Sequence, residues 1–170
     1  MSRDDISQSA VKKLLKISAH AARNWEDQPR VSAEAAAEGV KAVEKFLHQL
    51  GKGCVRILTL QKKKTVTPEV IRMIVHEEFP CATIPKNELM PTREKGKRNH
   101  LSKAGVIRVL HEEVMGDLRI SKEGKEVAVL AAESFLIQLG LKASQLAKAA
   151  KRSTFKGSDL KGAHKLMISG

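Results

Sequence analysis

The sequence predicts an all-α fold in which one helical unit, made of a short, a long and a short helix, occurs twice in a chain of 170 residues. The first observation is a repeat: residues 46–51, FLHQLG, return 89 residues later as residues 135–140, FLIQLG. The second is that apolar residues in both copies alternate at spacings of three and four, as in an amphipathic helix. Because a long helix cannot bury such a stripe alone, we expect the two copies to pack against each other.

The long helix of the first copy is expected from Ala33 to Leu60, which corresponds to about 42 Å. Ser32 stands where an N-cap should, and Ser121 occupies the same place in the second copy. Glycines inside both helices cost about 1 kcal/mol each relative to alanine, so a broken helix or a helical hairpin is the alternative. The stripe keeps its register on both sides of these glycines, which favours unbroken helices. The stripe residues are Val40, Val43, Leu47, Leu50, Cys54 and Ile57, then Val129, Ala132, Leu136, Leu139, Ala143 and Leu146.

Shorter amphipathic segments flank each long helix, and a linker rich in proline and basic residues joins the two units. The predicted division is a first unit at 1–80, a basic linker at 81–100 and a second unit at 101–170. Few residues lie outside these helices, so we expect no long tail. The flanking helices are expected within residues 10–17, 68–75, 105–110 and 158–166.

Charge points to a polyanionic partner. Lys and Arg number 31 against 19 Asp and Glu, which gives a net charge of +12, and the excess is spread over the linker and both units. Nucleic acid is a better partner than a membrane, because no apolar run approaches the roughly 18 residues that a span requires. Only two cysteines occur and no signal peptide is recognised, so we expect a reducing, intracellular setting.

An enzymatic function finds little support in the sequence. The six histidines are dispersed, neither Cys54 nor Cys81 has a metal-ligand neighbour, and no phosphate-binding glycine loop or nucleophile elbow is present. We therefore expect no catalytic residue, cofactor, metal site or small-molecule substrate. Cys54 is expected to be a buried apolar residue. The absence of Tyr, together with Phe46 and Phe135 on the helices, argues against recognition of single strands by base stacking.

The ordered motifs resemble those of the histone family, and their duplication resembles a fused histone doublet of archaeal or viral type. The resemblance extends over roughly residues 8–79 and 101–168. It implies two tandem histone folds paired as an intramolecular handshake, in which the first loop of one half lies beside the second loop of the other. The first loops contain residues 30–32, RVS, and 119–121, RIS; the second loops contain residues 62–67, KKKTVT, and 151–155, KRSTF.

The resemblance also implies double-stranded DNA as the partner and assigns roles to the loop residues. Arg30 and Arg119 would enter the minor groove, whose negative potential favours a guanidinium group. Thr65 and Thr154 would hold these arginines from the opposite half. Such contacts discriminate little between DNA sequences. The implied function is therefore to bend, wrap and compact DNA in nucleosome-like particles. The implied location is on intracellular DNA, or in a virus factory and virion if the source is viral.

Further contacts follow from the same resemblance. Lys13 and Arg108 stand on the first helices, where histones reach the central phosphates. The seven-residue spacing of Arg152 and Asp159 matches a salt bridge between the second loop and the last helix, whereas the first half offers Lys63 and Val70. The remaining predicted phosphate contacts are Ser32, Ser121, Lys63, Lys64, Arg152 and Ser153.

Two other functions remain open from the sequence. A histone-fold module of a transcription or repair assembly would keep the fold and use an exposed apolar face. A helical, RNA-associated basic protein would keep the charge without needing particular arginines. The histidines that the family uses to join dimers into larger particles are replaced by Leu60 and Ala149, so association with further copies of itself or with other histones would lack that contact.

Overall fold

The structure is a computed structural model, and it describes residues 6–23, 30–79, 101–112, 116–152 and 154–169. The predicted linker at 81–100 lies outside these residues, as does Trp25. Six helices and four two-residue strands occur in the described ranges. In chain order they are α1 (Gln8–Arg23), β1 (Arg30–Val31), α2 (Ala33–Gln61), β2 (Thr65–Val66), α3 (Pro68–Glu78), α4 (Lys103–His111), β3 (Arg119–Ile120), α5 (Lys122–Ala149), β4 (Thr154–Phe155) and α6 (Gly157–Ser169).

Both long helices are continuous, so the alternative of a helix broken at glycine is wrong. Helix α2 has 29 residues and runs through Gly51 and Gly53, and α5 has 28 residues and runs through Gly140. Packing explains why a glycine is tolerated in α2. A Cβ atom on Gly53 would lie 2.9 Å from Cγ2 of Ile74, so the missing side chain lets α3 approach α2 closely.

The two halves form a handshake in which the helices of each half pack on the long helix of the other. Helices α1 and α3 contact α5, while α4 and α6 contact α2. The two long helices meet at Phe46 and Phe135, whose rings stack with centroids 4.6 Å apart and planes at 21°. These residues are equivalents under the 89-residue repeat. Their stacking therefore places them at the pseudo-twofold centre of one shared core.

The predicted stripes are the core of this arrangement. Leu47 and Leu50 of α2 and Leu136 and Leu139 of α5 are fully buried. Cys54 is buried as predicted, and burial, aided by the nearby Glu78 carboxylate, raises the pKa of its thiol to about 12. The thiol therefore stays protonated at neutral pH and behaves as a small apolar side chain.

Helix α5 is more uniformly apolar than α2. By length and composition it is the one helix of the described residues that could cross a membrane, and most of that apolar window is buried within the protein. This corrects the expectation that no segment approaches the length of a span. Its extra apolar residues are accounted for by contacts with α1, α3, α4 and α6, which surround it.

Candidate nucleic-acid interface

The handshake places the first loop of one half beside the second loop of the other at two sites. At the first site β1 and β4 pair in parallel, with Arg30 opposite Thr154 and Val31 opposite Phe155. The N–H of Ser32 donates to the carbonyl oxygen of Phe155 at 3.2 Å. Val31 and Phe155 are buried and anchor the pair to the core, whereas Arg30 is exposed. The site therefore presents a cation on a fixed piece of backbone.

The second site is built in the same way from the other two loops. Strands β2 and β3 pair in parallel, with Thr65 opposite Arg119 and Val66 opposite Ile120. The N–H of Arg119 donates to the carbonyl oxygen of Lys64 at 2.8 Å. Arg119, Lys63, Lys64 and Thr65 are exposed. Each predicted arginine thus lies opposite the threonine that the resemblance to the histone family assigns to it, and that threonine comes from the other half of the chain.

Ser32 and Ser121 cap the long helices beside these paired loops. The Oγ of Ser32 accepts a hydrogen bond from the N–H of Ala35 at 3.1 Å, and the Oγ of Ser121 accepts one from Gly124 at 3.0 Å. A hydroxyl that accepts in this way still has its own hydrogen to donate to a phosphate oxygen.

The serine N–H groups, by contrast, are used within the protein. Those of Ser32 and Ser121 donate to the carbonyl oxygens of Phe155 and Val66. Glu34 and Glu123 occupy the first turns of α2 and α5, where a carboxylate stabilises the helix dipole. The first turns of α2 and α5 are therefore weaker binding sites for a phosphate than the sequence suggests. The cations of the loops are the stronger candidates for phosphate contacts.

Packing also explains why the third residue of α5 is glycine. A Cβ atom on Gly124 would lie 2.9 Å from the carbonyl oxygen of Val66, which belongs to the opposite loop. The equivalent residue in α2 is Ala35, which is buried. The second loop pair thus approaches its long helix closely enough to exclude even a methyl group.

The predicted pair of Arg152 and Asp159 is present and fixes the second loop of the second half. Two guanidinium nitrogens of Arg152 lie 2.7 and 2.9 Å from the two carboxylate oxygens of Asp159. Arg152 also donates to the carbonyl oxygen of Thr154 at 3.2 Å, and the N–H of Lys156 donates to Asp159 at 2.8 Å. The Asp159 side chain is 5% exposed. Arg152 therefore has a structural role in the loop in addition to its predicted role at phosphate.

These contacts determine the ionisation of Asp159. Burial by itself would raise the pKa of its carboxyl group, but the hydrogen bonds from Arg152 and Lys156 and their positive charges outweigh burial, and the pKa lies below its ordinary value of 3.8. In the first half, Lys63 and Val70 occupy the equivalent positions. Glu69, the nearest carboxylate in sequence, is exposed and forms no ion pair within the described residues.

Replacing Asp159 with asparagine is expected to lower stability at neutral pH and to flatten its response to acid. Because the pKa of Asp159 is lower in the folded than in the unfolded state, its contribution is complete above the ordinary value near 3.8 and is lost as pH falls through the folded pKa. Thermal unfolding between pH 7 and 3 should show the wild-type and Asp159→Asn curves converging below pH 4. Glu69→Gln, which removes an exposed carboxylate, is the control; an equal loss in this variant would contradict the assignment.

Two lysines beside these loops were not singled out by the sequence analysis. Lys62 and Lys151 both adopt the left-handed conformation, with φ of 57°. Lys62 is the C-cap of α2 and Lys151 follows the C-cap of α5; both are exposed and are equivalents under the 89-residue repeat. Glycine is the usual residue at such a position because it has no Cβ. A lysine at both positions places an exposed positive charge beside each loop site, and the shared offset of 89 residues was the signal that could have revealed the pair.

The other predicted residues are less closely tied to the paired loops. Lys13 on α1 and Arg108 on α4 are exposed but lie on helices rather than in the two loop sites. Ser153 lies outside the described residues. Within the described ranges, no group of three or more His, Cys, Asp or Glu side chains is placed to bind a metal ion.

Comparison with known proteins agrees with this architecture. The profile of a family described as histone-like transcription factor (CBF/NF-Y) and archaeal histone matches residues 7–75 and 99–163. The structure is similar to a crystal structure of the histone from Methanopyrus kandleri, with a TM-score of 0.69 and 18% sequence identity. This match covers 93% of the present chain and 92% of the other. A search of curated proteins found no significant match.

The two segments matched by the family profile coincide with the two halves of the handshake. The prediction of two tandem histone folds paired within one chain is therefore confirmed. Because the matched segments make up well over half of the sequence, the chain belongs to the family of histone-like transcription factors and archaeal histones.

Proposed function

We propose that this chain is a histone doublet that binds duplex DNA with little sequence specificity and bends, wraps and compacts it inside the cell. The observation that carries the proposal is the pairing of Arg30 with Thr154 and of Arg119 with Thr65 at two loop sites. The membership of the chain in a family that includes archaeal histones and its net charge of +12 support it. Exposed arginines on paired loops suit a minor groove, and the surrounding lysines suit phosphates.

The spacing of the two sites bears on how the duplex would be held. Helix α2 begins at the first loop site and ends at the second, so its 29 residues separate the sites by about 44 Å. One turn of B-DNA is about 34–36 Å long. A duplex that contacts both sites must therefore extend over more than one turn.

The proposal is tested by binding and nuclease digestion of random-sequence duplexes. Affinity should fall steeply with salt, with a log-log slope of about −0.9 for each phosphate neutralised. A regular ladder of protected lengths would indicate wrapping by stacked doublets, and a single footprint of about 30 base pairs would indicate isolated doublets that bend DNA. A flat salt response or the absence of protection would contradict the proposal.

A role within a protein assembly is the second candidate, because the described surface carries exposed apolar side chains. Leu60 is 80% exposed and Met73 is 42% exposed, on the neighbouring helices α2 and α3. Leu60 stands at one of the positions where the resemblance places the histidine that joins dimers. If the chain fails to protect DNA from nuclease, we expect the surface around Leu60 and Met73 to contact a partner histone or a second copy of the chain.

A further inference from the structure

A groove between α2 and α6 carries positive charge outside the two loop sites. It encloses a cavity of about 490 Å³, and the neighbouring part of the groove, toward the end of α3, adds a cavity of about 300 Å³. Lysines line the larger cavity from both helices, and Lys52 continues the positive charge into the smaller one, where Arg56 is paired with Glu78. The lysines of the larger cavity are Lys41 and Lys45 on α2 and Lys161 and Lys165 on α6.

The floor of this α2–α6 groove is apolar. Ala42 and Leu160 line it and are almost fully buried. His164 lies beside them, and burial and the nearby charge of Lys45 lower the pKa of its imidazole, while Glu38 opposes that shift. The groove thus combines cationic walls with an apolar base, a combination that suits a side chain better than a solvated ion.

Most of the positive charge of the α2–α6 groove is absent from its pseudo-symmetric counterpart between α5 and α3, where Arg72 retains one cation. Under the 89-residue repeat, Lys41 and Lys45 correspond to Leu130 and Ser134, and Lys52 corresponds to Leu141. On the last helices, Lys161 and Lys165 correspond to Arg72 and His76. The loop sites, in contrast, carry an arginine in both halves. The positive charge of the groove therefore does not follow from the repeat that builds the two loop sites.

One carboxylate lies inside the groove, and a second lies between the groove and the first loop site. Glu38 lies in the groove, 3.6 Å from Nζ of Lys41 and 3.9 Å from Nζ of Lys161. Glu34 lies one turn closer to the paired loops, and a Cβ atom on Gly157, which begins α6, would lie 3.4 Å from the Glu34 Cβ atom. A duplex that followed its phosphates from the loops into the groove would meet both negative charges. The groove and the loop site are therefore electrostatically distinct.

We propose that the α2–α6 groove is a docking site for an acidic segment of a partner protein, separate from the duplex-binding loops. Charge complementarity identifies the ligand as an anion, and the apolar floor calls for aliphatic side chains among the acidic ones. A rigid duplex is too wide to enter a cavity of this volume, whereas individual side chains of a peptide fit it. The part of α2 that lines the groove, from Glu38 to Arg56, is about 27 Å long. This length matches a helical segment of about 18 residues.

The test uses the full chain, alone and bound to a duplex of about 30 base pairs. The probe is a fluorescein-labelled peptide of about 18 residues with glutamates flanking leucines at helical spacing. A peptide with glutamine in place of every glutamate measures the part of the binding that does not depend on charge. Fluorescence anisotropy reports binding of the peptide, and a second dye on the duplex reports release of DNA.

Two double variants with the same change in net charge separate the groove from the loops. K45E/K165E is expected to weaken binding of the glutamate peptide about tenfold or more and to leave duplex binding unchanged. R30E/R119E is expected to do the reverse. Circular dichroism of all variants shows whether they fold. If charge reversal disturbs folding, K45Q/K165Q, which removes the two charges without reversing them, replaces K45E/K165E in the comparison.

The expected result is a ternary complex of chain, duplex and peptide. Release of the duplex by the peptide would overturn the proposal, because the peptide would then occupy the DNA surface. Equal peptide binding by K45E/K165E and the wild type would also overturn it. If K45E/K165E lost duplex affinity instead, the groove would be a second DNA contact. Peptide binding is also measured with the chain in the absence of DNA. A failure of the proposed DNA binding can therefore be distinguished from a failure of the peptide site.

Discussion

Replacing Arg30 and Arg119 together with glutamate is expected to weaken duplex binding about 100-fold at moderate salt. Both side chains are exposed on the paired loops, and neither forms an ion pair with a carboxylate among the described residues. Reversal therefore removes two contacts with DNA and adds repulsion without leaving a buried charge unpaired. The log-log slope with salt should become shallower by about 1.8, since two phosphates are no longer neutralised.

Electrophoretic mobility shift at several salt concentrations, with a random-sequence duplex, measures both quantities. K45E/K165E changes the net charge by the same amount away from the loops and is the matched control. R30K/R119K retains the charge but not the planar guanidinium group, so it separates minor-groove insertion from simple phosphate attraction. Equal losses of affinity in the two charge-reversed variants would show that net charge, rather than the loop arginines, determines binding.

Local patterns predicted the elements of this fold closely. The long helix expected from Ala33 to Leu60 runs from Ala33 to Gln61, and Ser32 and Ser121 cap the helices as their positions indicated. The pair of Arg152 and Asp159, implied by the resemblance to the histone family, is also present. These features depend on residues within a few turns of one another, where helical periodicity and capping chemistry dominate.

Features that depend on tertiary contacts, within a half or between the halves, were harder to predict from sequence. The α2–α6 groove was not recognised because Lys45 and Lys165 are far apart in sequence and are brought together only by the handshake. Gly53 suggested a break, since the close approach of Ile74 that makes glycine favourable is a tertiary contact. The apolar character of α5 was underestimated for the same reason: α5 contacts all five other described helices and therefore needs little polar surface.

Replacing Phe135 with alanine is expected to destabilise the whole chain by about 3–5 kcal/mol. The ring is 2% exposed, stacks on Phe46 and meets the edge of His164 with centroids 5.8 Å apart. Phe46 in turn contacts Phe79 at 4.7 Å, so the cavity would open at the centre of the shared core. Domains are commonly stable by only about 5–15 kcal/mol, so the loss is a large fraction of the total.

Urea unfolding followed by circular dichroism measures this loss and also tests the handshake. Since Phe46 and Phe135 come from different halves, Phe46→Ala and Phe135→Ala should each shift one transition of the entire chain. Two separate transitions would instead show that the halves fold independently. Leu60→Ala, at a site that is 80% exposed, should change the free energy of unfolding little. In a double-mutant cycle with leucine at both phenylalanines, a coupling of about 0.5–1.5 kcal/mol would measure the stacking across the pseudo-twofold axis.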